Sequence, residues 1–558
     1  MKKMISMLLA ATFSLSCVAV GTGCTTKDDI VSDDKTINVR VYKAGFGDAF
    51  IYDLKQKFEE VYAAEGYKMN VLTPTYGSAG TAMVQEMSRG YENTGIDLYV
   101  TGAIMPNQVS PDGEYGEVAE DLSDIFNQTA INYDGTESTK KLSDCLNPDL
   151  VPFLCADNGK MYGLPWAQTS AGMVVNTKKL ASYGVTEPPR TTNELFEIFD
   201  MIYNGVDGVI EGSDSTKTYP VTYNLSIGQG GAATYQNTAL LVWLAQYDID
   251  TYNEFLRMQE QNGDSWTDMA EGYKVFENEN LKDVLTAGYH FMDEKYSADG
   301  SASQTLDQAQ GLVMKDANKQ NNAVFMLNGD WFLNEVKANY STKLDDIGFM
   351  NIPVISALGV KLFGVGTAYN LSDAECDDLL SYICKLVDEN KSIDDIIASV
   401  KAEKGIDLAA TDAQAVATAR GVCFARGIEH LMFITKGSTK RDIASLAIRM
   451  VASEDFAETF LAKANAASPY ANAKNSSQYA FVNQAKALVD NCHFRAINSR
   501  VQGLRFKVLR SDYIFPGESN LAMTLYSKPT NKSYEEAANE MYTNSIAKAK
   551  EAWDNYNK

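Results

Sequence analysis

The alternation of strand-like and helix-like segments that begins at residue 37 constrains the fold more than any other feature of this chain. Residues 37–42, 67–72 and 95–100 have the length and apolar character of buried strands. Residues 50–61 place apolar side chains at helical spacing, and a second helix is predicted near 81–89. This β-α-β-α-β order predicts an α/β fold with a mostly parallel sheet covered by helices.

A second region of alternating elements follows, and 558 residues exceed what a single core holds. Its predicted strands lie at 172–175, 219–223 and 323–327. Its predicted helices lie at 239–247, 267–277, 281–296 and 306–317. Thr191 and Glu194 have the spacing of a capping box, so we predict a further helix that starts there and ends at Gly205.

The charge balance argues against a nucleic-acid partner. The chain has 49 basic and 73 acidic residues and a net charge of −24. Binding to a polyanion needs a basic patch, and none is visible in the sequence.

The N-terminus has the form of a secretory signal. Lys2 and Lys3 precede an apolar run at residues 4–20, and small residues and Cys24 follow. The run is just shorter than the ~20 residues that span a bilayer, which favours cleavage over a retained anchor. Gly-Thr-Gly-Cys, ending at Cys24, resembles the lipobox of bacterial lipoproteins. We therefore predict a signal peptide at 1–23 and lipidation of Cys24, with simple cleavage as the alternative.

No constellation of catalytic or metal-binding residues stands out. The three histidines, at 290, 430 and 493, lie far apart and outside any HExxH motif. The sequence has no nucleophile elbow, no phosphate-binding loop and no calcium-loop pattern. We predict no catalytic residues, no metal and no cofactor, although abundant carboxylates leave a glycosidase pair open.

The cysteines show no metal-binding spacing. Six lie beyond the signal region, at positions 145, 155, 376, 384, 423 and 492. Cys376 and Cys384 fall on one predicted helix, about 12 Å apart, which is too far for a disulfide. Pairing of Cys145 with Cys155 stays open, and the alternative is that all six are buried thiols.

Three segments carry a recognisable pattern in a fixed order. They are YGLPWAQTSAGMVVNTKKL with PPRTTNEL in 162–199, NNAVFMLNGDWFLNEV in 321–336, and LMFITKGSTKRDIASLAIRMV in 431–470. Together they resemble the extracellular sugar-binding lipoproteins that feed ABC importers, the maltose-binding-protein-like family. The resemblance implies a two-lobe, periplasmic-binding-protein-like α/β fold with a ligand cleft between the lobes.

The resemblance also implies that the chain crosses between the lobes more than once, near 167–171, near 359–367 and after residue 472. After a polar, flexible tether at 24–36, lobe 1 would begin. The expected parts are lobe 1 at 37–168, lobe 2 at 169–358, a return to lobe 1 at 359–472 with a helical insertion at about 370–422, and a C-terminal helical part at 473–558 that belongs mainly to lobe 2.

Candidate ligand-binding residues lie beyond the carboxyl ends of the predicted strands, where parallel sheets bind ligands. In the first region this rule selects the glycine-bearing loops 43–49, 74–80 and 101–108. The candidate side chains in the first two loops are Phe46, Asp48, Tyr76 and Ser78.

Two tryptophans at predicted turns complete the candidate site. Trp331 follows Asp330, and Trp166 lies close to Gln168. Sugar rings stack their apolar faces on aromatic planes, and their hydroxyls need nearby polar groups. In the family a tryptophan at the position of Trp331 stacks on a sugar ring, so the resemblance implies this role. The alternative for each tryptophan is packing in a core.

The resemblance implies a lipid-anchored, monomeric receptor on the outer face of the bacterial cytoplasmic membrane. It would capture a carbohydrate, an oligosaccharide in particular, and deliver it unchanged to the permease subunits of an ABC importer. Three alternatives remain open. They are a peptide- or polyamine-binding lipoprotein of the same architecture, a surface glycoside hydrolase, and a structural surface lipoprotein without a cleft.

We predict that Cys24→Ser releases the protein from membranes. The wild-type protein, expressed in a bacterium, should sediment with membranes because a diacylglyceryl group anchors stably where a lone acyl chain binds only marginally. The measurement is the distribution of the protein between membrane and soluble fractions. Cys17→Ser is the matched control and should stay bound, and a Cys24→Ser protein that still sediments would contradict lipidation at this residue.

Overall fold

The structure, a computed structural model, describes most of the chain from residue 29 to residue 558. The residues outside this description are 1–28, 44, 74–78, 103, 112, 114, 157, 206–216, 226–232, 264, 318–320, 425–429, 474–476, 497–502, 510–513 and 519. Cys24, Tyr76 and Ser78 lie among them, so their predicted roles stay predictions. Within the described ranges, every helix is too short or too polar to cross a bilayer.

The strands fall into two main sheets and three small ribbons. In chain order they are β1 Thr36–Val41, β2 Lys68–Val71, β3 Leu98–Val100, β4 Thr129–Ile131, β5 Glu137–Lys141, β6 Leu164–Pro165, β7 Ala171–Asn176, β8 Thr218–Val221, β9 Gln259–Asn262, β10 Ser265–Asp268, β11 Asn322–Gly329, β12 Ile347–Met350, β13 Val422–Phe424, β14 Leu431–Ile434 and β15 Phe494–Ala496.

Helices connect and cover these strands. The α-helices are Ala49–Val61, Ala79–Met87, Tyr91–Thr94, Pro106–Val109, Ser123–Phe126, Leu142–Cys145, Val151–Leu154, Thr177–Ser182, Thr192–Asn204, Ala233–Tyr247, Ile249–Arg257, Asn280–Phe291, Leu306–Met314, Phe332–Tyr340, Ser356–Phe363, Asp373–Asp388, Ile393–Lys404, Ala410–Arg420, Arg441–Val451, Glu454–Phe456, Ala480–Asp490, Gly503–Leu509, Leu521–Tyr526 and Tyr534–Tyr556. Short 3-10 turns lie at Pro148–Leu150, Gly272–Glu277, Glu294–Tyr296 and Leu344–Asp346, and a π-helical turn lies at Ala457–Leu461.

Lobe 1 is built on a five-stranded sheet in the order β2-β1-β3-β14-β6. β1 pairs in parallel with β2 and β3, as the alternation of elements predicted. β14 runs antiparallel to β3 and to β6, and β6 forms the edge of the sheet. All six residues of β1 are buried, as expected for a strand covered on both faces.

Lobe 2 is built on a four-stranded sheet in the order β12-β7-β11-β8. β11 is antiparallel to β7 and parallel to β8, and β12 is antiparallel to β7. The helix after the double proline begins at Thr191, whose side chain accepts from the Glu194 amide in a capping box. It ends at Gly205, so the predicted start and end of this helix are confirmed.

Three segments connect the two lobes. The first is residues 166–170, and the second joins Phe424 to Leu431, whose side chains lie in different cores. The third follows Tyr470, the last residue of the first core. The Trp166 amide donates to the His430 carbonyl at 2.9 Å, and the Gln168 amide donates to the Ala467 carbonyl at 2.9 Å. The first crossing is therefore hydrogen-bonded to His430, which precedes β14, and to Ala467, which precedes Tyr470.

The helical segment at 370–422 packs on lobe 2, whereas the sequence predicted a return to lobe 1 at residue 359. Gly359 lies in the helix Ser356–Phe363, and a Cβ there would meet the Cys376 carbonyl at 3.1 Å and Leu380 Cβ at 3.3 Å. The small residue lets the two helices approach closely, and the apolar face of Asp373–Asp388 completes the second core. The chain rejoins the first sheet only at β14.

Two other predictions differ from the structure. Residues 267–277, predicted as a helix, form the end of the β9–β10 hairpin followed by a 3-10 turn. The end of the predicted tether is docked rather than flexible, because the Val31 amide donates to Asn38 Oδ1 at 3.0 Å and Asn70 Nδ2 donates to the Asp29 carbonyl at 2.9 Å.

The cysteines of the described chain are thiols, and no disulfide joins them. Cys376 and Cys384 lie on the single helix Asp373–Asp388 and are both buried, which confirms the prediction that they cannot pair with each other.

Candidate functional site

Trp331 lies where the two lobes touch. It follows β11 and precedes the helix Phe332–Tyr340, so it stands at the carboxyl end of a central strand of lobe 2. The half-buried indole packs against the cores of both lobes. This is the edge of the sheet at which α/β proteins bind ligands.

Two glycines, one in each lobe, make room for the indole. A Cβ on Gly45, in the loop after β1, would lie 2.8 Å from Trp331 Cβ and 3.1 Å from Cγ and Cδ1. A Cβ on Gly329 would lie 2.3 to 2.4 Å from the Cη2, Cζ2 and Cζ3 atoms of the same ring. Any larger residue at either position would displace the ring, so both glycines are needed for this arrangement.

Asp330 lies beside Ser170 at the same edge of the sheet. The last ladder pair of β11 and β7 is Gly329 with Ala171, and the Asp330 amide then donates to the Ser170 carbonyl at 2.9 Å. Both side chains are buried. Within the described part of the chain, neither Asp330 Oδ1 nor Ser170 Oγ has a hydrogen-bond partner. Buried polar atoms are nearly always paired, so these two are candidate contacts for a bound ligand.

Burial raises the pKa of the Asp330 carboxyl to about 8, although the backbone amides of Ser170, Asp330 and Trp331 act to lower it. At neutral pH the carboxyl is therefore mostly protonated. A neutral carboxyl carries one O–H donor as well as acceptor oxygens. Beside the Ser170 hydroxyl, it can exchange hydrogen bonds with a neutral, hydroxyl-rich ligand.

A polar contact on the far side of Trp331 also joins the lobes. Asn334, on the helix that follows Trp331, accepts from Asn465 Nδ2 at 3.1 Å and donates to the Ala464 carbonyl. Asn465 adopts a left-handed backbone conformation, with φ of 56°. Ser477 Oγ donates to Asn465 Oδ1 at 2.8 Å and holds that amide in place. The helix that carries Trp331 is thus connected to lobe 1 next to the crossings.

Trp166 is a core residue in this structure and exposes no stacking face, in contrast to its predicted role. It is 1% exposed, and its ring stacks on Phe50 at a centroid distance of 4.5 Å. Phe46 and His430 pack edge-on or tilted around the same ring, and Trp166 Nε1 donates to the Thr101 carbonyl at 3.3 Å. The core alternative stated for this tryptophan accounts for its position.

The other predicted residues lie close to the lobe interface but differ in character. Phe46 is a buried member of the first core, so it supports the loop from beneath. Asp48 is ion-paired with Lys43 at 3.1 Å in the loop after β1. Gln168 is buried on the first crossing. The structure therefore brings together Asp330, Trp331 and the loop around Phe46. Ser170 and Gly45 were not predicted, because their positions follow from strand pairing and from contact between the lobes.

The described residues contain no group of His, Cys, Asp or Glu side chains that could hold a metal ion. The groups gathered around Trp331 are an indole, a neutral carboxyl, a hydroxyl and backbone amides. Such a set suits recognition of a polar ligand that also has an apolar face.

Two lobes, each with a sheet and a core of its own and joined by more than one crossing, define the solute-binding-protein class of fold. Solved carbohydrate receptors share this fold. The bacterial solute receptor AcbH, described as having an exclusive substrate preference for β-D-galactopyranose, superposes with a TM-score of 0.53 over 94% of this chain and 99% of its own, at 12% identity. RafE, a solute-binding protein solved in complex with raffinose, superposes with a TM-score of 0.52 over 92% of this chain and 99% of its own, also at 12% identity. A chitin oligosaccharide binding protein superposes with a TM-score of 0.52 over 92% of this chain and 99% of its own, at 14% identity.

Sequence comparisons add no further assignment. No protein-family model matches the chain, and no curated protein matches it. At 12 to 14% identity, the likeness to the solved receptors establishes the fold.

The raised pKa of Asp330 predicts a specific pH dependence of stability. The folded state keeps the proton up to about pH 8, whereas the unfolded state releases it near 3.8. The contribution of this group is therefore full below pH 4 and is lost as the pH rises towards 8. Asp330→Asn should become more stable relative to wild type by up to about 1 kcal/mol for each pH unit between 5 and 7.

Urea unfolding at pH 5, 6 and 7 measures this difference. Asp554→Asn, at an exposed position of the C-terminal helix, is the control and should show no such trend. A free-energy difference between Asp330→Asn and wild type that stays constant with pH would show that the carboxyl is ionised in the folded protein.

Proposed function

We propose that this protein is an extracytoplasmic receptor that binds a carbohydrate, an oligosaccharide in particular, for import by an ABC transporter. The observation that carries the proposal is the position of Trp331 between the lobes, beside the buried and unpartnered polar atoms of Asp330 and Ser170. The indole supplies an apolar plane for a sugar ring. The carboxyl and the hydroxyl supply donors and acceptors for sugar hydroxyls.

The solved proteins of the same fold support the carbohydrate class. AcbH, RafE and the chitin oligosaccharide binding protein are described with galactopyranose, raffinose and chitin oligosaccharide, respectively. We therefore infer that the ligand is a sugar and that the permease subunits of an importer are the protein partners. The signal-like N-terminus and Cys24 support attachment of a monomeric receptor to the outer face of the cytoplasmic membrane.

Binding would act through the relative position of the lobes. A ligand that contacts both lobes stabilises the arrangement in which they meet, in proportion to its differential affinity for that arrangement. Because each lobe has a core of its own, one lobe can rotate against the other while both cores stay packed. A permease can then read the joined arrangement as the loaded state.

The electrostatics of the site favour a neutral ligand over a polyamine or a cationic peptide. A cation would require an ionised carboxylate in the cleft, whereas burial raises the pKa of Asp330 to about 8. On the lobe 1 side, Asp48 is already paired with Lys43 at 3.1 Å. We include no chemical step in the proposal, and release of reducing sugar from an oligosaccharide would indicate a glycoside hydrolase instead.

Calorimetric titration of residues 29–558 tests the function directly. The panel contains galactose, raffinose, chitin oligosaccharides and other mono- and oligosaccharides. Spermidine and a cationic peptide are included to test the polyamine and peptide alternatives. Saturable binding of one sugar class with no change in its chain length supports the proposal. Binding of spermidine alone, or of no ligand in the panel, would overturn it.

The first site variant is Trp331→Ala. Loss of the aromatic plane should weaken binding of the cognate sugar by about 2–4 kcal/mol, or roughly thirty- to several-hundred-fold in Kd. Stability should fall by less than the roughly 3–5 kcal/mol of a truncated core aromatic, because the indole is only half-buried. Calorimetry and urea unfolding measure the two quantities.

Trp266→Ala is the matched control for this variant. Trp266 lies on β10 of the β9–β10 hairpin beneath the Arg257 guanidinium, away from the lobe contact, and its loss should leave sugar affinity unchanged. If Trp331→Ala unfolds the protein or binds sugar as tightly as wild type, the indole is a packing residue.

The second site variant is Gly45→Ala, which tests whether joining of the lobes around Trp331 matters for binding. The added Cβ would lie 2.8 Å from Trp331 Cβ, so the lobes could not meet in this arrangement. Overpacking of about 1–3 kcal/mol should weaken sugar binding by roughly five- to 150-fold.

Gly311→Ala serves as the comparison for Gly45→Ala. It adds the same methyl group within the helix Leu306–Met314, near Tyr340 and not at the lobe contact, and should bind sugar normally. If wild type, Gly45→Ala and Gly311→Ala bind sugar with equal affinity, contact between the lobes at Gly45 does not contribute to binding.

A further inference from the structure

Two cysteines that are far apart in the sequence meet beside the parallel pair of β13 and β15. β13 and β15 pair in parallel, with Val422 opposite Phe494 and Cys423 opposite Arg495. The His493 amide donates to the Gly421 carbonyl at 2.9 Å and continues the pairing towards Cys492. Cys423 and Cys492 therefore lie on neighbouring segments, three positions apart along the pairing.

The side chains of Cys423 and Cys492 contact each other. They form a small apolar cluster of their own, with Leu488 at its margin, and are only 2% and 7% exposed. Backbone carbonyls orient both thiols, since Cys423 Sγ donates to the Leu488 carbonyl at 3.4 Å and Cys492 Sγ donates to the Phe494 carbonyl at 3.2 Å. Each thiol is thus oriented by a backbone carbonyl within the same small cluster.

The remaining cysteines offer no comparable pair by the same criterion. Cys376 and Cys384 are separated by eight residues of one helix. Cys145 belongs to the core of lobe 1, whereas Cys155 is half-buried and bridges Met161. Among the cysteines of the described chain, only Cys423 and Cys492 therefore form a buried cluster of their own.

We propose that Cys423 and Cys492 form a disulfide in the exported protein. A thiolate of one cysteine attacks the disulfide of an oxidant, such as a thiol–disulfide oxidoreductase or oxidised glutathione, and expels one oxidant thiol. The second cysteine attacks the resulting mixed disulfide and expels the other. Two protein thiols become one disulfide, and the oxidant gains two electrons and two protons. The proposal rests on the proposed function in one respect: export would place the protein in an oxidising compartment, where disulfides persist.

The bond would stabilise the lobe 2 side of the crossings. β13 precedes the second crossing, which begins after Phe424, and β15 follows the helix Ala480–Asp490 that the chain enters after the third crossing. A covalent link would close the whole excursion through lobe 1 between these two points. It would also limit separation of β13 from β15 when the lobes move.

Peptide mapping of residues 29–558 after incubation with oxidised glutathione tests the proposal without export or sugar. The protein is denatured and alkylated without reduction, then digested. We expect a peptide that links Cys423 to Cys492, and four alkylated cysteines where the fully reduced sample has six. Alkylation of all six, stable mixed disulfides with glutathione, or a different linked pair would overturn the proposal.

Thermal unfolding with and without reductant provides the second measurement. Reduction should lower the midpoint of wild type by on the order of 5–10 °C, because the bond closes a long loop. The double variant Cys423→Ser, Cys492→Ser should lose this dependence, and Cys376→Ser, Cys384→Ser should keep it. Sugar binding measured on the oxidised sample distinguishes failure of the disulfide from failure of the receptor function.

Discussion

The pairing of β7 with β11 is the constraint on which the candidate site depends. Both strands are buried along their whole length, so a slip of one residue would turn every core side chain to the wrong face. This fixed register continues for one more pair, Ser170 with Asp330, at the edge of the sheet. The same register carries Trp331 beyond the end of β11 and into contact with the other lobe.

The buried residues of the two lobes form two separate large cores, with Trp331 packed against both. Each core is completed by segments that are distant in sequence, and the first connecting segment begins inside the first core, at Trp166 and Ala167. Bending either core would disrupt its close packing. A receptor that reports its ligand through the position of its lobes needs this division between rigid cores and a narrow connection.

The two tryptophans show how far sequence reasoning could reach within the site. Trp166 and Trp331 both lie at predicted turns with polar neighbours, and residue type and spacing do not separate them. Their difference comes from distant partners, since Phe50 covers the ring of Trp166 whereas Gly45 leaves room for the indole of Trp331. Ser170 was not predicted because its importance depends on lying opposite Asp330 across a strand pair.

The sequence alone determined the α/β class, most strands and helices, and details such as the capping box at Thr191, because periodicity and capping are local properties of the chain. Only the tertiary structure decided that the helices at 370–422 join lobe 2, that residues 29–36 dock on the first sheet, and that Cys423 meets Cys492. An amphipathic helix specifies that its apolar face must be buried, but its sequence does not specify against which partner. That choice depends on the burial available over the whole chain, which local patterns do not contain.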